Sequence, residues 1–387
     1  MSEVDPRTLV AEFGALYGSA PQGVWSAPGR LNLIGEHVDY NDGLVLPIAL
    51  PRRAWVALRA RDDGRIRLAS RQLPERYDLT LAQVQPGVPS GWGAYAAGVL
   101  AILARAGYPV TGADLLVSSE VPVGAGLSSS AALEAAVGAA ASEALGLGLL
   151  ADDASRSELA ELCRRAENEI AGAPTGGMDQ AAALRSRAGH ALLLDCRDGS
   201  VRHIPFDPAG HGLELLVIDT RARHELVDGQ YGERRASCEQ AARLLGVPAL
   251  RDVPIDSLDE ALSQLPDERL RSRAEHVVTE IDRVRQAVEA LADDDFVRLG
   301  SLFTASHASL RDRFEVSSPE LDAAVEVALA GGALGARMTG GGFGGSAIAL
   351  IPAGLGESIG WATRTRFAAQ NWAGPQVFSV TAAGPAQ

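Results

Sequence analysis

The sequence predicts a two-domain protein of mixed α/β (α+β) structure, and three observations carry that expectation. At 387 residues the chain is long enough for two cores, and 47% apolar with 22% charged residues is the balance of a soluble globular enzyme. Short strand-like runs alternate with segments of helical spacing through the first half. From about residue 235 to 330 the text shifts to long amphipathic helices, broken early by Pro248, Pro254 and Pro266, as a second domain would be. The expected division is 1–185 and 186–387, with the boundary placed to within about 15 residues.

Taken in order, Pro6 to Tyr17 has helical spacing at Leu9, Val10, Phe13 and Leu16 and stops near Gly18. Trp25 to Pro47 then packs Arg30, Asn32, Glu36, His37, Asp39 and Asn41 among apolar residues and Gly35. It reads as a loop pinned to a core, the kind of segment that carries function. Ala54 to Arg61 and Ile66 to Ser70 alternate like strands of an antiparallel layer. Trp92 to Leu103 has the spacing of a buried helix, and Trp92 at its start either stacks on a flat ring or, the commoner use, belongs to the core.

The apolar run Leu115 to Val123 enters the turn Gly124-Ala125-Gly126-Leu127-Ser128-Ser129-Ser130, which opens an alanine-rich helix reaching about Leu145. Glycines permit close approach, and the first N–H groups of a helix lack partners within it, so the turn suits an anion such as phosphate. No lysine follows the last glycine, so it is not a P-loop, and a plain helix cap is an equal alternative. Asp152 or Asp153 caps the next helix, where Glu167, four residues after Cys163, is a solvated flank or a metal ligand; spacing favours the flank. Gly172 to Gln180 is a small-residue loop with one acid, Asp179, whose bland reading is an Asx-type turn. Strand-like Ala191 to Cys196 and Leu213 to Thr220 lead into a charge-dense stretch, Arg221 to Arg235, that holds Tyr231. The glycine-rich Met338 to Gly345 would make a weak strand, so it is expected to be a loop that approaches another backbone or a ligand before strand-like Ser346 to Ile351.

A formal charge of −14 and the lack of any basic run argue against nucleic acid or anionic lipid as partner. A phosphorylated ligand would therefore need backbone amides, a few arginines and a divalent cation. Cys163, Cys196 and Cys238 form no CxxC pair, which argues against a disulfide framework or cysteine zinc site. The acidic start lacks a signal peptide's basic flank and apolar core, and no apolar run has membrane-spanning length, so a cytoplasmic location is expected. Glu36, His37 and Asp39 have metal-ligand chemistry, but seven scattered histidines supply no further imidazole at useful spacing. Acceptors crowded on one loop suit a ligand rich in hydroxyls better.

Gly29 to Pro47 resembles the signature of the galactokinase family, within the GHMP small-molecule kinases, almost position for position. Val123 to Ala132 is similar to that family's ATP loop and Met338 to Gly345 to its third motif. Gly177 to Gln180, Gly189 to Cys196, and Arg223 and His224 through Tyr231 to Arg235 extend the resemblance over most of the chain. The resemblance implies mixed sheets flanked by helices, with an active site between the domains. It implies phosphorylation of D-galactose at the anomeric hydroxyl with ATP and Mg2+, by a catalytic Asp179 and a transition-state Arg30. The sugar would meet Glu36, His37, Asp39, Gly176 and Tyr231; the nucleotide Gly124, Ala125, Gly126, Leu127, Ser128, Ser129, Ser130, Trp92 and Ser70; and Mg2+ Ser130 and Glu167. A monomer is implied. The chain departs from the family pattern at Ala125, where a methyl group would retune nucleotide binding, and at Thr175 and Gly177. The alternatives are a kinase for N-acetylgalactosamine or arabinose, and a non-catalytic galactose sensor. A sensor has no need of Arg30, Ser130, Glu167 and Asp179 together, and the Glu-His-x-Asp loop argues against mevalonate.

Overall fold

A computed structural model describes residues 4–173, 175–222 and 227–387. The strands are β1 (Gly23–Asn32), β2 (Leu44–Val45), β3 (Pro47–Ala60), β4 (Arg65–Ser70), β5 (Tyr77–Thr80), β6 (Ala113–Ser119), β7 (His190–Asp195), β8 (Val201–Pro205), β9 (Leu213–Asp219), β10 (Gly335–Thr339), β11 (Ser346–Pro352) and β12 (Gln376–Val380). They form sheets of order β1-β3-β6-β4-β5, β10-β11-β9-β12 and β2-β7-β8.

Two local expectations change. The stretch expected as a loop from Trp25 begins as β1, antiparallel to β3 with a register shift at Pro28–Arg30. A bulge there absorbs a proline that cannot donate to the ladder, and Gly29 lies where a Cβ would sit 2.7 Å from the Leu127 carbonyl. The strand β4 runs opposite to β3 but does not pair with it. It pairs in parallel with β6, which lies between them, because the helix Trp92–Arg105 supplies the crossover that a parallel pair needs. Because β4 and β6 run the same way, Ser70 and the turn after Ser119 leave the sheet at the same edge.

The helix Pro6–Tyr17 has Asp5 as its cap and ends at Gly18, φ +76°. Ser129–Leu145 is buried at Ala131, Ala132, Ala135, Ala136, Val137, Ala139, Ala140 and Ala141, whose small side chains let it lie close against β1 and β3. One core joins the five-stranded sheet to the helices Trp92–Arg105, Ser129–Leu145 and Asp153–Arg165. The far end of Glu268–Ala292 enters it through Val284, Ala287 and Leu291. A second core lies under the four-stranded sheet, around Leu270, Val277, Phe314, Ala347 and Phe367. The C-terminal tail returns to the first sheet, where Ser26 and Gln387 exchange backbone bonds of 2.8 and 2.9 Å. The loops that reach the seam between the two halves are the three singled out in the sequence.

Candidate active site

Arg30 follows the bulge in β1 and is 6% exposed. Its Nε donates to Asp179 Oδ1 at 2.8 Å, its Nη2 to Oδ2 at 3.1 Å, and its Nη1 to the Gly126 carbonyl at 2.6 Å. Asp179 lies in the first turn of the helix Met178–Arg185 and also accepts a hydrogen bond from the Ser128 hydroxyl. Ser128 precedes the helix Ser129–Leu145 at φ +54°, and its side chain makes no capping bond. Neither bland alternative describes these residues: Ser128 is spent on a distant acid instead of its own helix, and Asp179 is held by residues about 50 and 150 positions away instead of an Asx turn.

Asp179 opens on a cavity of about 190 Å³ lined by Arg30, Glu36, His37, Asp39, Gly176, Asp179 and Tyr231, together with Thr175, Met178, Gly340 and Gly341. The sugar and catalytic residues expected from the sequence thus face one space, at unequal freedom. Glu36 is buried, ion-paired with the fully buried Arg337, and accepts from Gly340 N at 2.9 Å and Thr339 Oγ1 at 3.2 Å. Burial raises its pKa despite Arg337. His37, at φ +62°, has Nδ1 2.9 Å from the Tyr40 hydroxyl and Nε2 3.1 Å from the Gly341 carbonyl. Burial lowers its pKa to about 3, so the ring is neutral and stacks at tilted angles on Tyr231 and Phe314. Glu36 and His37 therefore bind the first loop to the third. Asp39 keeps a freer carboxylate, with its pKa raised to about 6 by burial and then by Asp179. A Cβ at Gly176 would overlap that carboxylate.

The turn Gly124 to Ser130 packs on the third glycine loop backbone to backbone. A Cβ at Gly340 would lie 3.0 Å from the Gly126 carbonyl, and Ser346 Oγ donates to the Ala125 carbonyl at 2.7 Å. Gly124 and Gly126 have φ of +78° and +72°. Ala125 is 3% exposed and its methyl group joins the first core, so it does not crowd the open side of the turn. Trp92 is half-buried, edge-on to Tyr77 with centroids 5.3 Å apart, and its Nε1 is buried without a partner among the described residues. Tyr77 pairs with Leu68 at the end of β4, so Trp92 and Ser70 share one edge of the sheet. Ser70 Oγ accepts from the amides of Gln72 and Leu73 at 3.2 and 3.3 Å, a turn-forming role.

Glu167 overturns the flank expectation, being 3% exposed. The helix Asp153–Arg165 continues as a wider, π-type turn over Ala166–Ala171, in which Ala166, Glu167 and Ile170 are buried. Its Oε2 accepts from Thr175 Oγ1 and Gln180 Nε2, each at 2.7 Å, and its carboxyl also bonds Ser130. Burial raises its pKa, and these hydrogen bonds oppose the rise. Among the described residues no group of three His, Cys, Asp or Glu stands ready to hold a metal. Ser130 and Glu167 still fit Mg2+, a hard cation that takes few protein oxygens and completes its shell with phosphates and water. Glu134, Gln180 and Arg337 escaped sequence reasoning. An acid in the alanine-rich first half of the helix, one turn beyond Ser130, was the available signal for Glu134. Arg223 and His224 lie outside the described residues.

Residues 11–60 match the galactokinase galactose-binding signature, 94–187 the GHMP kinases N terminal domain and 287–359 the GHMP kinases C terminal domain. A galactokinase of Streptomyces coelicolor is 51% identical over 387 residues, covering 99% of each chain. One from Mycobacterium tuberculosis is 48% identical over 329 residues, 85% of this chain and 89% of its own. The crystal structure of Lactococcus lactis galactokinase complexed with galactose superposes with a TM-score of 0.90 at 30% identity, covering 98% of this chain and 99% of the other. Methanococcus jannaschii mevalonate kinase, at 20% identity and a TM-score of 0.64 over 93% and 98%, shares the fold.

Proposed function

The chain belongs to the galactokinase family, and we propose that its residues divide the transfer of the γ-phosphoryl of ATP to the anomeric hydroxyl of D-galactose as follows. Asp179 accepts the proton of that hydroxyl. Arg30, holding both Asp179 oxygens, aims the carboxylate and stabilises charge on the attacking oxygen. Asp39 accepts from sugar hydroxyls, Gly176 leaves room for its carboxylate, Tyr231 forms a wall, and Glu36 and His37 hold the first loop against Gly340 and Gly341. The turn Gly124 to Ser130 cradles the phosphates with amides at a helix start, while Trp92 and Ser70 flank the nucleoside at the same sheet edge. Ser130 and Glu167 would hold Mg2+, which when bound would neutralise charge on the phosphates of ATP.

The observation that carries this reading is the two-bond grip of Arg30 on Asp179 at the mouth of a polar cavity, beside a glycine turn that Arg30 also touches. The division near residue 185, a monomeric state and a cytoplasmic setting are parts of the same proposal. The acidic charge fits the lack of a nucleic-acid or membrane partner, and no described helix is long and apolar enough to cross a membrane. An ADP-release assay across galactose, glucose, N-acetylgalactosamine and arabinose tests it. Galactose should exceed glucose by about 10⁴, because the wrong epimer strands a buried acceptor. Near-equal use of glucose overturns the pocket assignment, and galactose binding without ADP release indicates a sensor.

A further inference from the structure

The carboxyl of Glu134 is fully buried, and no described cation pairs with it. Burying such a group in an alanine-rich helix costs stability that an apolar residue would not. Its position is informative. Glu134 lies four residues after Ser130, one helical turn along the same face. Gln180, also fully buried, donates from Nε2 to Glu134 Oε2 at 2.9 Å and to Glu167 Oε2 at 2.7 Å, spending both amide hydrogens. Ser130 bonds the Glu167 carboxyl in turn. Ser130, Glu167, Gln180 and Glu134 thus form a ring closed by the helix backbone. Glu134 Oε1 and Gln180 Oε1 are buried with no hydrogen-bond partner among the described residues, an arrangement that packing alone does not favour.

We propose that Glu134 and Gln180 are positioning residues for the cation site: Glu134 fixes the Gln180 amide, and that amide, with Thr175, pins one oxygen of Glu167 so that the carboxylate keeps one orientation toward the phosphates. The proposal rests on the reading of Glu167 as a cation ligand. The Gln180 amide bonds both carboxyls, so without Glu134 it loses one of its two anchors and holds Glu167 less firmly, leaving Thr175 as the other partner of that oxygen. Outer partners of this kind are worth about 10- to 100-fold in metal affinity. Gln180 is also the residue after Asp179, so one helix start sets both the base and the metal carboxylate.

The test measures ADP binding by calorimetry at graded magnesium concentrations, with galactose binding as a check of the fold. Gln180→Leu and Glu134→Leu should each raise the magnesium needed for half-maximal ADP binding about tenfold or more, while galactose affinity stays within about twofold. Glu134→Gln keeps an oxygen that accepts from Gln180 and should restore the parent requirement to within about threefold. An unchanged magnesium requirement in Gln180→Leu, or a loss in Glu134→Gln as large as in Glu134→Leu, overturns the proposal. If Gln180→Leu does not fold, Glu134→Leu against Glu134→Gln decides in the same terms. Glu167→Gln separates the two levels: no magnesium effect there removes the ligand reading itself, whereas an effect there with none in Gln180→Leu removes only the positioning role.

Discussion

Arg30 holds Asp179 by two near-parallel bonds of 2.8 and 3.1 Å between residues 149 positions apart in sequence. Its third nitrogen, on the Gly126 carbonyl, makes the same side chain a strut for the turn Gly124 to Ser130. The proposed base, transition-state cation and nucleotide loop therefore share one contact, and catalysis should depend on that contact more steeply than substrate binding does.

Asp179→Asn keeps the shape of the side chain but cannot take a proton. Turnover should fall at least 10²-fold, the usual weight of a general base, with galactose affinity by calorimetry within about threefold. Turnover within tenfold of the parent, about 1.4 kcal/mol or less, would assign Asp179 to orientation alone.

Ser130→Ala and Glu167→Gln should each lower turnover, and their effects should be non-additive, since two ligands of one ion act as a unit. Because burial raises the Glu167 pKa, an uncharged amide should leave the melting temperature equal or higher. Lost activity with lost stability in proportion would mark Glu167 as structural instead. The measurement is a double-mutant cycle on turnover with a melt of each variant.

Asp39 carries a pH signature. Only its ionised form accepts hydroxyl hydrogens on both oxygens, and its pKa stands at about 6 in the free protein. The value of kcat/KM for galactose should therefore fall about tenfold per unit below pH 6, and Asp39→Asn should be low throughout without that limb. Stability runs the other way. A folded pKa above the ordinary 3.8 means that the fold binds the proton more tightly than the unfolded chain. This contribution is complete below about pH 4 and lost as pH rises through 6. Denaturant melts should show Asp39→Asn gaining on the parent between pH 4 and 7.

Gly176→Ala and Gly177→Ala make a matched pair. The first places a methyl group into the Asp39 carboxylate, whereas the second meets only Arg164 Cδ at 3.5 Å, with backbone φ at −94°. Steady-state assays should give a galactose KM raised at least tenfold for the first and within about twofold for the second. Equal effects would mean that the whole loop, not the space at Gly176, sets the site.

Local chemistry made much of this legible in advance. Helix Pro6–Tyr17 was readable from its spacing and Gly18, and Ser129–Leu145 from its alanines and the glycine turn before it, because caps and periodicity act within a few residues. The residues that came to line the cavity were marked by polar groups placed among apolar ones in short loops. Parallel pairing of β4 was not readable, since the strand that separates it from β3 lies more than 40 residues further on.

By itself the sequence determined the elements, the three small-residue loops and the kinds of side chain they carry, because backbone freedom and hydrogen-bonding character are properties of individual residues and their near neighbours. Only the tertiary structure decided which of those groups are spent and which are free. Glu36 is taken up by Arg337 and Gly340, His37 by Tyr40 and Gly341, and Ser128 by Asp179, while Asp39, bonded among the described residues by backbone amides only, faces the cavity. Glu167, expected as a surface flank, is a buried carboxyl covered by the approach of Thr175 and Gln180. Burial and pairing depend on distances between segments remote in the chain, and those distances exist only once the loops have packed together.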